Sequence, residues 1–131
     1  MVTIPDSIVH LLTDPNFGYL ATVRPDGVPQ VNPMWFLYDP QAGTLRFTHT
    51  SKRAKFRNLQ HNPAMALCVT DPANPYGYLE VRGHLSEVIP DPTGAFYPVL
   101  GARYSNPDTP IPPDFADRVI LVMTIDHVSE R

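Results

Sequence analysis

The spacing of apolar residues divides the chain into strand-like and helix-like segments. Alternating positions rich in aromatic and β-branched residues predict strands over 17–24, 28–38, 44–50, 64–71, 77–89 and 118–128. Helical spacing predicts short helices over 4–14, 51–60 and 93–104. Because the last predicted strand is apolar on both sides, we expect it in the interior of the core.

Short connections between the predicted strands favour antiparallel pairing. Turn signals at 25–27 and 39–43 join the first three strands, and Gly83 predicts a bulge or bend in the long fifth strand. This order predicts a mainly β fold with short α-helices, built as a six-stranded antiparallel barrel. We expect one domain over 1–131, in which the proline-rich stretch 105–114 is a loop serving as a lid or a packing arm.

Composition and charge narrow the class of function. Ten Lys and Arg against thirteen Asp and Glu give a formal net charge of -3, which argues against a general nucleic-acid binder. The single cysteine, Cys68, excludes an internal disulfide, and no Cys/His cluster has the spacing of a structural zinc site. The chain has no basic leader and no apolar run of about 18 residues, so we expect neither export nor a membrane partner, and a cytoplasmic location.

The segment THTSKRAKFRN at 48–58 is the first candidate for binding chemistry. It holds four of the ten basic residues, namely Lys52, Arg53, Lys55 and Arg57. Cations are unfavourable at the start of a helix, so a bound phosphate or carboxylate would offset them and accept bonds from backbone N–H groups. Hydroxyl groups of Thr48, Thr50 and Ser51 add further donors. We therefore predict an anion site, with a solvated basic face capped by Ser51 as the alternative.

The strand predicted over 28–38 is the second candidate. Gln30 and Asn32 lie on the same side of this strand, and their amides are suited to hydrogen-bond the edge of a heterocycle. Met34 and Trp35 would cover its face, unless Trp35 is an ordinary core or subunit-interface residue. Pro33 indicates an edge or irregular position, where backbone groups are free to meet a ligand.

Three motifs resemble a known enzyme family. They are GYLATVRPDGVPQVNPMWF at 18–36, FTHTSKRAKFRNLQHNP at 47–63 and NPYGYLEVRG at 74–83. Together they are similar to the split-barrel flavin and deazaflavin oxidoreductases related to pyridoxamine 5′-phosphate oxidase, and more narrowly to those using coenzyme F420. The resemblance covers about residues 5–128. It implies the FMN-binding split-barrel fold and coenzyme F420. FMN is the alternative, because enzymes that bind either coenzyme share this fold.

Carried onto this sequence, the resemblance implies a role for each motif. Arg53 and Lys55 would bind the coenzyme phosphate, and Asn58 would fix the start of the helix. Further residues near the phosphate would be Thr48, Ser51 and Lys52. The second strand would lie along the tricyclic ring through Gln30, Val31, Asn32, Pro33 and Met34. Family members are homodimers with coenzyme sites at the interface, so Tyr76 and Tyr78 would reach the coenzyme bound by the other subunit.

The activity that the resemblance implies is reduction of an unsaturated small-molecule acceptor by hydride transfer from reduced F420. We expect no catalytic side chain and no metal, because the coenzyme itself performs hydride transfer. The alternatives are an FMN-dependent oxidoreductase of the same fold and a non-catalytic flavin- or deazaflavin-binding protein. The arginine and serine pattern with which vitamin B6 oxidases hold pyridoxal phosphate is missing, so the resemblance does not extend to oxidation of pyridoxamine phosphate.

Overall fold

A computed structural model describes residues 1–130, which contain seven strands and three short α-helices. The strands are β1 (Gly18–Val23), β2 (Pro29–Met34), β3 (Leu37–Asp39), β4 (Thr44–Thr50), β5 (Ala64–Asp71), β6 (Asn74–Pro90) and β7 (Arg118–Glu130). The helices are α1 (His10–Thr13), α2 (Ala54–His61) and α3 (Phe96–Arg103), and a 3₁₀ turn spans Phe115–Asp117. The mainly β fold with short helices is thus confirmed.

All seven strands belong to one antiparallel sheet with the order β2-β1-β5-β6-β7-β4-β3. The long strand β6 lies at its centre and pairs with β5 on one side and β7 on the other. The two edge strands, β2 and β3, are separated in sequence only by Trp35 and Phe36. The sheet therefore returns to its own edge without closing by hydrogen bonds, which is the split-barrel arrangement.

The division between β2 and β3 corrects the prediction of one strand over 28–38 and of six strands in all. The reason lies in the backbone of Phe36. Its N–H donates to Tyr104 Oη at 3.1 Å, and its carbonyl accepts a bond from Arg103 Nε at 2.8 Å. Because both groups are used by residues at the end of α3, the predicted strand breaks and contributes to both edges of the sheet.

The bulge predicted at Gly83 is confirmed. The register between β6 and β7 shifts between Arg82 and Gly83, and again between Leu85 and Glu87. A Cβ atom on Gly83 would overlap the carbonyl oxygen of Thr124. Glycine is therefore the residue that lets β6 approach β7 this closely at the bend.

The core fills the interior of the sheet. Its fully buried side chains include Phe36 and Phe47, together with leucines from β1, β4, β5, β6 and β7. The predicted apolar face of the first helix is also buried through Ile8, Leu11 and Leu12, although α1 begins only at His10. No helix within residues 1–130 has the length and apolar character needed to cross a membrane.

The proline-rich loop 105–114 folds back onto α3. The Thr109 side chain occupies the position that a Cβ on Gly101 would take, and the Asn106 N–H donates to the Gly101 carbonyl at 2.8 Å. These contacts fit the packing arm rather than the lid.

Candidate functional site

An open cleft of about 360 Å³ lies where the ends of β2 and β4 meet α3 and the start of β7. Its lining consists of Phe17, Asn32, Pro33, Met34, Trp35, Thr48, His49, Arg53, Tyr97 and Arg118. Six of these are predicted site residues: Asn32, Pro33, Met34, Trp35, Thr48 and Arg53. The fold thus brings the two candidate segments together, in a cleft whose volume is typical of small-molecule sites.

Aromatic rings form one wall of the cleft. Trp35 stacks on Tyr104 with ring centroids 5.3 Å apart, and Phe17 stacks on the same tyrosine at 5.6 Å. Tyr97 lies tilted against Trp35 at 5.8 Å. The Tyr104 hydroxyl is held in turn, because it donates to the Asn16 carbonyl at 2.8 Å. The wall is a fixed apolar surface suited to a planar ring.

Among these aromatic residues, only Trp35 is a predicted site residue. Tyr97 and Tyr104 lie in the helix predicted over 93–104 and are seven positions apart. That spacing of two helical turns places both residues on one face, and it is the signal that would have found them.

Two arginines also line the cleft. Arg53 precedes the first turn of α2 at its N-cap position. Arg118, at the first position of β7, is 8% exposed; its Nε donates to Asp114 Oδ1 at 3.0 Å, and its guanidinium lies 4.9 Å from the centroid of the Tyr97 ring. Arg118 was not predicted, because a cation before an apolar strand is an ordinary sequence feature.

Two neighbouring residues of β4, Thr48 and His49, also line the cleft. Thr48 Oγ1 and His49 Nε2 are buried, and neither has a hydrogen-bond partner within the described residues. Thr48 was predicted here, whereas His49 was not. Buried polar atoms in native proteins are nearly always hydrogen-bonded, and a third such atom within the described residues, Thr44 Oγ1, lies away from the cleft.

His49 is neutral at physiological pH. Burial of the ring lowers the pKa of His49 to about 4, and the positive charges of Lys55, Arg53 and Arg118 act in the same direction. The Asp114 carboxylate opposes them. The cleft therefore carries a surplus of positive charge, which favours an anionic ligand.

We predict that acid destabilises the protein through His49. The unfolded chain takes up a proton near the ordinary pKa of 6.5, whereas the folded protein does so only near 4. The free energy of unfolding is therefore highest above pH 6.5, and up to about 3 kcal/mol of it is lost as the pH falls from 6.5 to about 4. Urea unfolding of His49→Gln from pH 7 to pH 4 should show a flatter dependence than wild type. The exposed control His10→Gln should keep the wild-type slope, and an equal slope in all three proteins would contradict the prediction.

The start of α2 differs from the prediction of a helix over 51–60. The helix begins at Ala54 with Arg53 rather than Ser51 at its N-cap, so the predicted cap is wrong. The solvated basic face of that alternative agrees with the structure for Lys52, Arg53 and Arg57, which are exposed. The Ser51 N–H and Oγ instead both donate to the carbonyl of Asp117, at 3.0 and 3.3 Å. Thr50 is buried, and its Oγ1 accepts a bond from the Lys52 N–H at 3.4 Å. Thr50, Ser51 and Lys52 thus adjoin the cleft without lining it.

The inner face of α2 is polar. Asn58 Nδ2 donates to Gln30 Oε1 at 2.9 Å and to Thr22 Oγ1 at 3.3 Å. The expectation that Asn58 fixes the start of its helix is therefore wrong, because its side chain lies on the buried face above β1 and β2. Lys55 is only 3% exposed and its Nζ donates to Asn32 Oδ1; burial lowers the pKa of Lys55. Of the two expected phosphate ligands, Arg53 lines the cleft and Lys55 does not.

The remaining predicted residues lie outside the cleft of this chain. Tyr76 is 77% exposed near the start of β6, and Tyr78 is also exposed. Val31, between the two β2 amides, is 63% exposed on the outer side of the sheet. A role for Tyr76 and Tyr78 toward another subunit stays a prediction.

Comparison with known proteins agrees with the family that the three sequence motifs resemble. The family model for pyridoxamine 5′-phosphate oxidase matches residues 4–131. A solved structure named F420 Reductase is 56% identical, covers 96% of this chain and 98% of its own, and superposes with a TM-score of 0.91. A conserved hypothetical protein from Mycobacterium tuberculosis is 21% identical, with coverage of 99% and 85% and a TM-score of 0.76. General Stress Protein 26 from Bacillus anthracis is 20% identical, with coverage of 95% and 91% and a TM-score of 0.71. The last two show the fold alone.

Proposed function

The chain belongs to the pyridoxamine 5′-phosphate oxidase family, and on that premise we propose that it is an oxidoreductase using coenzyme F420 to reduce an unsaturated small-molecule acceptor. The single observation that carries the proposal is the cleft, which brings stacked aromatic side chains together with Arg53 and Arg118. The 56% identity to a protein named F420 Reductase supports this coenzyme over FMN.

The residues present fit a tricyclic ring with an anionic tail. Trp35 and Tyr97 offer flat apolar surface to such a ring. Arg53 offers a charged donor to a phosphate. Because His49 is neutral at physiological pH, the positive charges among the lining side chains are those of Arg53 and Arg118.

In the proposed reaction this chain binds and orients the reactants. Reduced F420, when bound, supplies a hydride from its C5. The aromatic wall formed by Phe17, Trp35 and Tyr97 excludes water from one face of the cleft, and Arg53 and Arg118 compensate the charge of the tail. Holding the acceptor against a fixed ring replaces a random encounter by an intramolecular one, which supplies most of the rate increase. We assign no side-chain proton donor, so solvent protonates the product.

The proposal predicts that Arg53→Ala weakens F420 binding by about 1–3 kcal/mol, a 5- to 150-fold rise in Kd, because a charged hydrogen bond to the tail is lost. Arg57→Ala is the matched control, since Arg57 lies on the same helix but outside the cleft and donates to the exposed Lys52 carbonyl. Fluorescence titration at fixed salt measures both variants. An unchanged Kd in Arg53→Ala, or an equal loss in both variants, would rule out the assigned anion site.

We also propose that the protein acts as a homodimer through the outer face of β2, β1, β5 and β6. Tyr19, Val31 and Tyr78 are exposed on this face. They lie on one side of the sheet, because Ala21 pairs with Val31 and Tyr19 pairs with Cys68, which in turn pairs with Glu80. Contiguous exposed apolar residues of this kind mark interaction surfaces. Sedimentation equilibrium tests the proposal, and a mass of 14.6 kDa at micromolar concentration would refute it.

A further inference from the structure

Two buried side chains of α2 donate hydrogen bonds to the two amides of β2. Lys55 and Asn58, three positions apart, lie on the inner face of the helix and are each 3% exposed. Lys55 Nζ donates to Asn32 Oδ1, and Asn58 Nδ2 donates to Gln30 Oε1 at 2.9 Å. The side-chain oxygen of each of these two amides thus accepts a hydrogen bond from α2.

The chemistry of Lys55 fixes the orientation of the Asn32 amide. A lysine ammonium has three donors and no acceptor, so Asn32 must turn its oxygen toward Lys55 and its NH2 group away from it. Asn32 lines the cleft, and neither its Nδ2 nor Gln30 Nε2 donates to a protein acceptor within residues 1–130. Asn32 therefore presents its amide hydrogens, and not its amide oxygen, to a ligand in the cleft.

The positive charge of Lys55 strengthens the Asn32 amide as a hydrogen-bond donor. The ammonium of Lys55 withdraws electrons through the Asn32 oxygen, and hydrogen bonds in series polarise one another, so the Asn32 NH2 becomes a better donor. Burial of an ammonium beside a neutral amide is costly for folding. An effect of Lys55 on the cleft through Asn32 would account for a charged side chain at this buried position.

We propose that Lys55 is a positioning residue, which sets the Asn32 amide as a donor and so selects ligands whose ring edge carries a carbonyl or unprotonated nitrogen acceptor. This inference rests on the proposed function. It assigns Lys55 to recognition of the ring, through Asn32, and leaves the anionic tail to Arg53. The pyrimidinedione edge common to flavins and deazaflavins has the required acceptors.

Two ligands separate recognition of the ring from recognition of the tail. They are F420 and its phosphate-free 8-hydroxy-5-deazaflavin chromophore, titrated by fluorescence at fixed salt. Asn32→Asp keeps an acceptor for Lys55 but removes the donors, so Kd should rise about tenfold or more for both ligands. Lys55→Met keeps the apolar stem but frees the amide, and Kd should rise about 3- to 10-fold for both ligands alike. The control Arg53→Ala should weaken F420 alone.

A second readout needs no coenzyme. Lys52 and Lys55 are the only lysines of the chain, so labelled lysine gives two NMR signals, with Lys52 as the internal reference. Replacing the Asn32 amide by a carboxylate should raise the pKa of Lys55 relative to wild type and leave that of Lys52 almost unchanged. In Asn58→Leu, where Lys55 keeps its partner, the pKa of Lys55 should stay at its wild-type value.

The outcomes are distinguishable. Loss of F420 binding in Lys55→Met with unchanged binding of the chromophore would overturn the inference, because Lys55 would then act on the tail. An unshifted Lys55 pKa in Asn32→Asp would overturn it as well, even in a protein that binds the coenzyme. Failure of the wild-type protein to bind either ligand would instead overturn the proposed function while the Lys55 pKa still reports the pairing with Asn32.

Discussion

Replacing Gly83 with alanine is expected to cost about 4 kcal/mol or more of folding free energy, enough to leave little folded protein. The new Cβ would overlap the carbonyl oxygen of Thr124, and the Thr124 carbonyl carbon would lie 2.9 Å away. These are backbone atoms, which cannot rotate aside as a side chain does. Strands β6 and β7 would have to separate at the centre of the sheet, where every other strand depends on them.

The matched control for this prediction is Gly77→Ala, the same substitution in the same strand. There the nearest atom to the added Cβ is Asp71 Cβ at 3.1 Å, a contact that a small shift relieves, so we expect a loss within about 1 kcal/mol. Urea denaturation followed by circular dichroism measures both variants. Equal free energies of unfolding for Gly83→Ala and wild type would mean that the bulge does not bring β6 this close to β7.

Arg103→Met is expected to cost about 3–5 kcal/mol and to disorder the aromatic wall of the cleft. The guanidinium donates from Nε to the Phe36 carbonyl at 2.8 Å and from Nη1 to the Thr13 carbonyl at 3.1 Å. Nη2 donates to the carbonyls of Leu12 and Asp14, both at 2.9 Å. Methionine keeps the stem but leaves these carbonyls without their charged donor. One arginine thus ties α3 to the end of α1 and to the break between β2 and β3.

The measurement uses Trp35, the single tryptophan of the chain, which lies beside this break. In Arg103→Met under native conditions its fluorescence should shift to the red, because its packing against Tyr104 loosens and water reaches the indole. Arg24→Met is the control, since Arg24 makes only an exposed ion pair with Asp26 at 3.6 Å, worth little in stability. A wild-type emission maximum and stability in Arg103→Met would disprove the role assigned to this arginine.

The fold was predictable because its strands carry local signals. The segment 64–71 is a strand with the predicted bounds, and the bulge at Gly83 follows from a glycine inside a strand pattern. The break at Trp35 and Phe36 was not predictable, because it depends on Arg103 and Tyr104, which lie 67 and 68 positions further along the chain. Tertiary hydrogen bonds of this kind leave no trace in the local pattern.

The candidate site was predictable in part for a similar reason. The dense basic segment indicated an anion site, and the structure places its Arg53 on the cleft with Asn32 and Met34 of the second strand. Counting charges does not show which way each one points, so Lys55 was expected at the phosphate although its ammonium lies buried on Asn32. Arg118 joins the site only through the pairing of β4 with β7.

The most direct test of the proposed function is titration of the purified protein with F420 and, separately, with FMN, following coenzyme fluorescence at fixed salt. We expect tight binding of F420 and weak binding of FMN, followed by oxidation of reduced F420 when a suitable unsaturated acceptor is added. Preference for FMN would assign the protein to the flavin-dependent members of this fold. Binding of neither coenzyme would contradict the account of the cleft as a deazaflavin site.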